Sequence, residues 1–463
     1  MQLYNTMTRK KEELVPITKD TVKIYCCGPT VYNLIHIGNA RALCVFDTLR
    51  RYLEFRGYKV LYVQNFTDVD DKIIKKANEL KKTSSEVSEN AIKEYFTDAK
   101  GLNVRTADIH PKVTENMGII IDIVKTLVDK GYAYEADGDV YFDTAKFPEY
   151  GKLSHQPLDD LKAGARIEVG EKKRDPMDFA VWKAAKPGEP YWDSPFGQGR
   201  PGWHIECSAM SRHYIGDTID IHGGGSDLIF PHHENEIAQS ECATGSPLAN
   251  IWMHNGMLNV DNKKMSKSAG NFFLVRDMAE KFGYEPIRFM LLSVHYRSQL
   301  NYTLEVIESC KAALSRLYTC RDTMNRVLGA AKDGDADASV LEDVRIARED
   351  FIKAMDDDFN TADGIAAVFE LTRKINAAVN SPEITKGSVK AYQDEFTALT
   401  NVLGLLYNNS EEEIPSEVTE LLEQRKAARK AKDFATADAL RDKIAEMGYI
   451  VEETRQGTIV KKA

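Results

Sequence analysis

The chain has no apolar run approaching the roughly 18–20 residues needed to cross a bilayer, so no membrane-spanning helix is expected. Its opening, MQLYNTMTRKKEELVP, has no apolar stretch behind the basic residues, which argues against a secretory leader. Cysteine is sparse: seven, an odd number, scattered through 463 residues. That excludes a disulfide framework and points to a reducing, cytoplasmic setting. Neither a glycine-rich dinucleotide fingerprint nor a Walker-type loop is present, so any nucleotide site must be built differently. Excess positive charge is missing too. A net charge of −10 disfavours indiscriminate attraction to nucleic acid but leaves room for a local basic face. Residues 333–338, DGDADA, lack the glycine of a calcium loop and read as linker, and Asp356-Asp357-Asp358 reads as a helix-end cluster.

What is there suits a soluble globular protein of about two to four domains, with 43% hydrophobic and 29% charged residues. Residues 22–27, VKIYCC, read as a buried strand, followed by the turn-rich GPTVYNLIHIGN and a helical pattern from Ala40 that Gly57 stops. KVLYVQNF reads as the next strand, which makes a βαβ beginning and predicts a parallel sheet. Helical patterns follow over roughly 70–100 and 111–130. From Gly131 to about Pro201 the texture shifts to glycine, proline and aromatics, with DVYFD and YGKLS as expected strands. This stretch reads as an insertion. The sheet pattern is expected to resume at GWHIECSAM and at TIDIHGG. Beyond about 300 the chain reads as helical, with linkers at 330–339 and 408–417 and a helix-bundle pattern between them. The last 45 residues read as a basic amphipathic helix and a short β-like tail.

Two constellations carry chemistry. Cys27, Cys207, His232 and Glu236 offer the thiolate, imidazole and carboxylate donors that zinc accepts. His232 and Glu236 are four apart and would share a helix face. His233 is only three from Glu236, so spacing leaves either histidine open. Small core cysteines and a surface His–Glu pair would explain the same residues. Cys26, Cys44, Cys242, Cys310 and Cys320 have no comparable partners and read as packing residues.

The second constellation handles phosphate. Gly38 would open a helix near Asn39, and exposed N–H groups at such a start favour anions, with His36 able to donate beside them. Lys264-Met265-Ser266-Lys267-Ser268 places two flexible ammonium groups where a leaving pyrophosphate could be neutralised. Alone, the pentamer is equally an ordinary solvated basic turn.

In order along the chain, YCCGPTVYNLIHIGNAR, NFTDVDDK, GRPGWHIECSAM, IHGGGSDLIFPHHENEIAQS and KKMSKSAGN, with the helical C-terminal third, resemble the cysteinyl-tRNA synthetase family of the class I aminoacyl-tRNA synthetases. The resemblance covers essentially the whole length. It implies an α/β fold: a Rossmann-like parallel-sheet catalytic domain with an inserted connective peptide, then an α-helical bundle and a small C-terminal domain. The implied boundaries are 1–130 and 202–260 for the catalytic domain, 131–201 for the connective peptide, 261–329 for a stem-contact fold carrying the lysine loop, 340–407 for the bundle and 418–463 for an anticodon-binding domain.

The same resemblance implies one Zn²⁺ per chain on Cys27, Cys207, His232 and Glu236, which would choose His232 over His233. It assigns Gly28, Thr67 and Trp203 to the amino-acid pocket and His36, Gly38, Asn39, Lys264 and Lys267 to ATP, of which His36, Asn39, Lys264 and Lys267 are the expected catalytic groups. The first signature departs from the class pattern, ending in Asn39 where histidine is common, yet an amide can still donate to phosphate. The implied reaction is ATP-dependent activation of L-cysteine, with Mg²⁺, and transfer to the 3′-terminal adenosine of cysteine tRNA by a monomeric enzyme. Shape alone would reject serine only about a hundredfold. A zinc–thiolate contact would reject it far better. Arg425, Arg429 and Lys432 fall at i, i+4 and i+7, a face able to hold tRNA phosphates. Two rivals share parts of this set: a ligase joining cysteine to an amino sugar, and a non-enzymatic RNA-binding paralogue with a structural zinc.

Overall fold

The computed structural model describes residues 1–155, 173–265, 272–408, 415–454 and 457–462. The chain divides into two compact units, Met1–Leu406 and Tyr407–Ala463. A four-stranded parallel sheet forms the centre of the first, in the order Ala249–Asn255, Ile219–Gly225, Thr21–Cys26, Lys59–Gln64. Its strands are apolar and largely buried, as a sheet covered on both faces requires. The helix Ile37–Phe55 joins the strands Thr21–Cys26 and Lys59–Gln64, stopping at Arg56 before Gly57 at φ +90°. This is the βαβ unit that strand, turn and helix signals predict. A cavity opens beyond Cys26, Gln64, Gly225 and Asn255, at the carboxyl ends of the strands, where open α/β sheets place their ligand crevice.

Three local expectations need correcting. GWHIECSAM is not strand: Trp203–Tyr214 is a helix starting after Gly202, so Cys207 arrives from a helix rather than from a strand end. YGKLS is a turn, not a strand. Its Gly151, Leu153 and Ser154 N–H groups wrap the buried Glu234 carboxylate, at 2.9 Å from Gly151 and 2.8 Å from Ser154, so they are spent there instead of on a ladder. The helical pattern over 70–100 is two helices, Asp71–Leu80 and Ser84–Gly101, because Lys81 turns left-handed and Thr83 caps a new start with Glu86.

The insertion forms an antiparallel sheet of Ala133–Ala136, Asp139–Phe142, Phe179–Ala184 and Gly199–Pro201. Helices Leu304–Ala330, Ala338–Asp356, Thr361–Ala378 and Lys386–Leu403 make the bundle. In the second unit, helices Ser416–Lys430 and Phe434–Glu446 and the hairpin Tyr449–Thr454/Gly457–Lys462 surround Val418, Leu421 and Ile444. The fold is mixed α/β with helical C-terminal parts, as expected. No described helix is long and apolar enough to cross a membrane.

Arg288, fully buried, ties the bundle to the sheet domain. It donates to the carbonyls of Leu403 and Leu102 and to the Asp47 carboxylate at 2.7 Å. Burial alone would raise the Asp47 carboxyl. The guanidinium of Arg288, then that of Arg51, outweighs burial and holds it below its ordinary value. A depressed carboxylate stabilises fully above its unfolded pKa of about 3.9 and ceases to as pH falls through the folded value. Arg288→Met is therefore expected to cost about 3 kcal/mol at pH 7, leaving a buried carboxylate short of its main partner. In urea titrations from pH 7 to 3, the gap from the native chain should narrow below about pH 4.

Candidate active site

The strand Thr21–Cys26 delivers Cys27 to the crevice floor, and three other segments close on it. Helix Trp203–Tyr214 brings Cys207, and helix Glu234–Thr244 with the turn before it brings Glu236 and His232. Cys27 Sγ lies 3.6 Å from Cys207 Sγ, 3.5 Å from His232 Nε2 and 3.3 Å from Glu236 Oε1, and His232 Nε2 lies 2.9 Å from Glu236 Oε1. All four donor atoms lie within 4.8 Å of one another. Tetrahedral zinc, with bonds of about 2.0–2.3 Å, separates its donors by roughly 3.3–3.8 Å. Three of the four distances fall in that interval.

Among the described residues a second set, Cys27, His222, His233 and Glu236, also meets the proximity condition. It has one thiol instead of two. Its His222 Nε2 is already hydrogen-bonded to Glu236 Oε2 at 2.7 Å, the oxygen turned away from the thiols. His222 thus orients the carboxylate, while Oε1 faces the thiol cluster. His232 is held likewise, with Nδ1 2.9 Å from His204 Nδ1 and Nε2 toward the sulfurs.

The electrostatics suit a cation. The hydrogen bond from Cys27 is the main influence bringing the Cys207 thiol down to about 6, against the cost of burial. Burial alone would raise Glu236 and lower His232. Instead His222 and His232 hold the Glu236 carboxyl far below its ordinary value, and Glu236 with Cys207 lifts His232 to about 10. Burial keeps Cys27 protonated well above the usual thiol range. Two of the four donors, Cys207 and Glu236, rest as anions, and a metal would displace the protons held on Cys27 and His232.

This cluster borders a cavity of about 470 Å³ reaching from Cys27, Gly28 and Trp203 to His36, Asn39 and Phe272. Gly28 is required there: a Cβ would sit 1.6 Å from the Asn65 carbonyl oxygen. Its N–H donates to Asn65 Oδ1 at 2.9 Å. Thr67, buried beyond the strand Lys59–Gln64, donates its hydroxyl to Glu206 Oε2 at 2.9 Å. Trp203 stays 38% exposed and lies over the His232 ring at 4.2 Å.

At the other end, His36 caps the helix Ile37–Phe55, which begins two residues earlier than Asn39. The Asn39 N–H donates to His36 Nδ1 and the His36 N–H to Asn39 Oδ1, each at 3.2 Å. The neutral ring must then carry its proton on Nε2, and the Asn39 amide keeps its NH₂ donors for the cavity. The segment after the lysine signature comes to this same place: Ile37 N–H donates to Phe273 O, and Val275 N–H to Ile35 O. Fully buried Arg41 donates to the Gly256, Met257, Tyr296 and Ser298 carbonyls, fixing this helix to the strand region that leads into the signature. Lys264 lies on the short strand Lys263–Lys264, paired opposite Asn259. Lys267 lies outside the described residues.

Several site residues escaped sequence reasoning: His204, Glu206, His222 and Asn65. Once Trp203–Tyr214 is known to be a helix, Trp203, Glu206 and Cys207 at i, i+3 and i+4 mark one face. The histidine–histidine contact and the Asn65 turn have no local signal. The proposed RNA face also needs correcting. Arg425 is buried at 5% exposure, and Lys432 sits past the helix end at φ +63°, so Arg425, Arg429 and Lys432 do not form one exposed helical face.

A parallel sheet with its ligand crevice at the strand ends, a capped His-Ile-Gly-Asn helix start and the Phe273–Val275 segment bonded to that start are the marks of a class I aminoacyl-tRNA synthetase. Solved structures agree on the fold. The chain matches the Mycobacterium tuberculosis methionyl-tRNA synthetase in complex with methionyl-adenylate at TM-score 0.59 and 13% identity, over 83% of this chain and 89% of that one. It matches the Agrobacterium radiobacter K84 agnB2 LeuRS ternary complex with tRNA and LeuAMS at TM-score 0.61 and 12% identity, over 85% of each. Family models match in sequence: the class I (C) tRNA synthetase catalytic domain over residues 13–312, the DALR domain over 350–407 and the cysteinyl-tRNA ligase anticodon-binding domain over 411–459. The cysteine–tRNA ligase of Geobacillus thermodenitrificans is 56% identical over 100% of this chain and 99% of its own, and that of Clostridioides difficile 51% over 100% of both. The chain belongs to the cysteine–tRNA ligase family, and it is an enzyme.

Proposed function

We propose that the chain activates L-cysteine with ATP, as its Mg²⁺ complex, to cysteinyl-adenylate and passes the cysteinyl group to the 3′-terminal adenosine of cysteine tRNA. One observation carries this reading: two thiols, an imidazole and a carboxylate, three of them buried and all mutually within 4.8 Å, meet through the half-buried Cys27 the same cavity as the capped His36 helix start. Zinc held by Cys27, Cys207, His232 and Glu236 would supply a soft seat that takes a thiolate in preference to a hydroxyl. Trp203 and Gly28 shape the space beside it, and Thr67, assigned to the same pocket, donates its hydroxyl to Glu206.

The carboxylate of the bound amino acid attacks the α-phosphorus, and pyrophosphate leaves. This step asks the protein mainly for position and for charge stabilisation. His36 Nε2–H and the side-chain amide of Asn39 are the donors offered at one end of the cavity, the Ile37 and Asn39 N–H groups of the helix start being spent on Phe273 O and His36 Nδ1. Lys264 and Lys267 are assigned to the same phosphates. In the second step the ribose hydroxyl of the terminal adenosine attacks the adenylate carbonyl, and AMP departs.

The test is cysteine-dependent ATP–pyrophosphate exchange followed by tRNA charging. We expect both activities, with exchange falling about 10²–10³-fold in His36→Ala. Exchange without charging, accompanied by ligation of cysteine to an amino sugar, would refute the tRNA assignment.

A further inference from the structure

Helix Asp71–Leu80 borders the cavity and is basic in an acidic chain. From Asp71 to Lys82 there are five lysines against two acids, while the whole chain carries −10. Both acids are engaged: Asp71 bridges Lys183 and Arg200 of the insertion sheet, and Glu79 meets Lys76 at 3.6 Å. Asp70, just before the helix, spends its carboxylate capping the Lys72 N–H at 2.8 Å. Lys72 and Lys75 form no ion pair among the described residues. Lys72 instead leans over the Tyr32 ring at 6.0 Å, on the cavity wall.

Lys72, Lys75 and Lys76 stand at i, i+3 and i+4 and therefore share a side of the helix. A row that starts at the cavity wall and runs outward is poorly suited to a small anion, which needs one convergent cluster. It suits a polyanion whose charges repeat along its length. The phosphate donors already placed, His36 and Asn39, belong to a different helix start. Helix Asp71–Leu80 instead meets the insertion, through Asp71.

Resting on the function proposed above, we infer that Lys72, Lys75 and Lys76 form the track for the backbone of the RNA acceptor end, with Lys72 gripping a phosphodiester beside the terminal adenosine. The helix thus serves the transfer step rather than adenylate formation.

The test is a K72Q/K75Q/K76Q chain beside the Lys72→Arg variant; glutamine is a good helix former, so the exposed helix should persist. Cysteine-dependent exchange should stay within about threefold of the native chain, while kcat/KM for tRNA charging falls about tenfold or more at physiological salt. The slope of log kcat/KM against log salt should flatten by about 2, as expected for three lost contacts to single-stranded phosphates. A minihelix carrying only the acceptor stem should lose activity equally, and K72R should charge nearly normally. Unchanged charging, a matching fall in exchange, or a minihelix indifferent to the triple change would each overturn the inference. A native chain without cysteine-dependent exchange would instead sink the functional reading beneath it.

Discussion

On the zinc site proposed above, replacing Cys207 with serine should abolish metal binding and, with it, the power to tell cysteine from serine. A serine hydroxyl stays protonated near neutral pH and is a poor donor to zinc, so metal analysis should fall from one zinc per chain to nearly none. The fold should survive, because Cys207 lies on a helix whose neighbours Ile205, Ala209 and Met210 pack into the core without it. Cysteine-dependent exchange is expected to drop by about 10³-fold, and the remaining preference over serine should shrink to the roughly hundredfold or less that shape can supply. The structural reason is that, of the two thiols, Cys207 is the one brought down, to about 6, and so the one already a thiolate. A metal-free protein that still strongly preferred cysteine would show that selection resides in the pocket walls instead.

Ending the chain after Leu406 should separate the two steps. The second unit, Tyr407–Ala463, has its own small core of Val418, Leu421 and Ile444, and the described residues lining the cavity all belong to the first. Exchange should therefore stay within about twofold. Charging should fall on the order of a hundredfold, the loss expected when one of two linked contacts to the same RNA is removed. The proposed second contact is with the unit whose residues 411–459 match the cysteinyl-tRNA ligase anticodon-binding domain. Full charging by the shortened chain would mean that the acceptor end alone supplies recognition.

Periodicity and turn chemistry made the scaffold legible. Alternating and continuous apolar runs, with Gly57 after the last helical residue, announced the parallel sheet and its crossover helix before any coordinates. Those signals are local, arising from neighbours in sequence, and so could be read there. GWHIECSAM misled for the same reason: a short apolar stretch has no period that separates strand from helix, and only its packing on helix Glu234–Thr244 decides. YGKLS misled because its N–H groups answer to Glu234, far along the chain.

By itself the sequence determined the fold class and the two phosphate signatures, since these are matters of residue type and order. It narrowed the candidate metal donors to Cys27, Cys207, Glu236 and one of two histidines, between which the family resemblance chose His232. Tertiary structure alone decided that Cys27 and Cys207, 180 residues apart, face each other at 3.6 Å, and that the His36 turn meets Phe273 and Val275. It also buried Arg425, ending its use as an exposed phosphate contact. The reason is physical. Backbone propensity acts over a few residues, whereas a site is made where distant segments exclude water together, and that closure is a property of the packed chain.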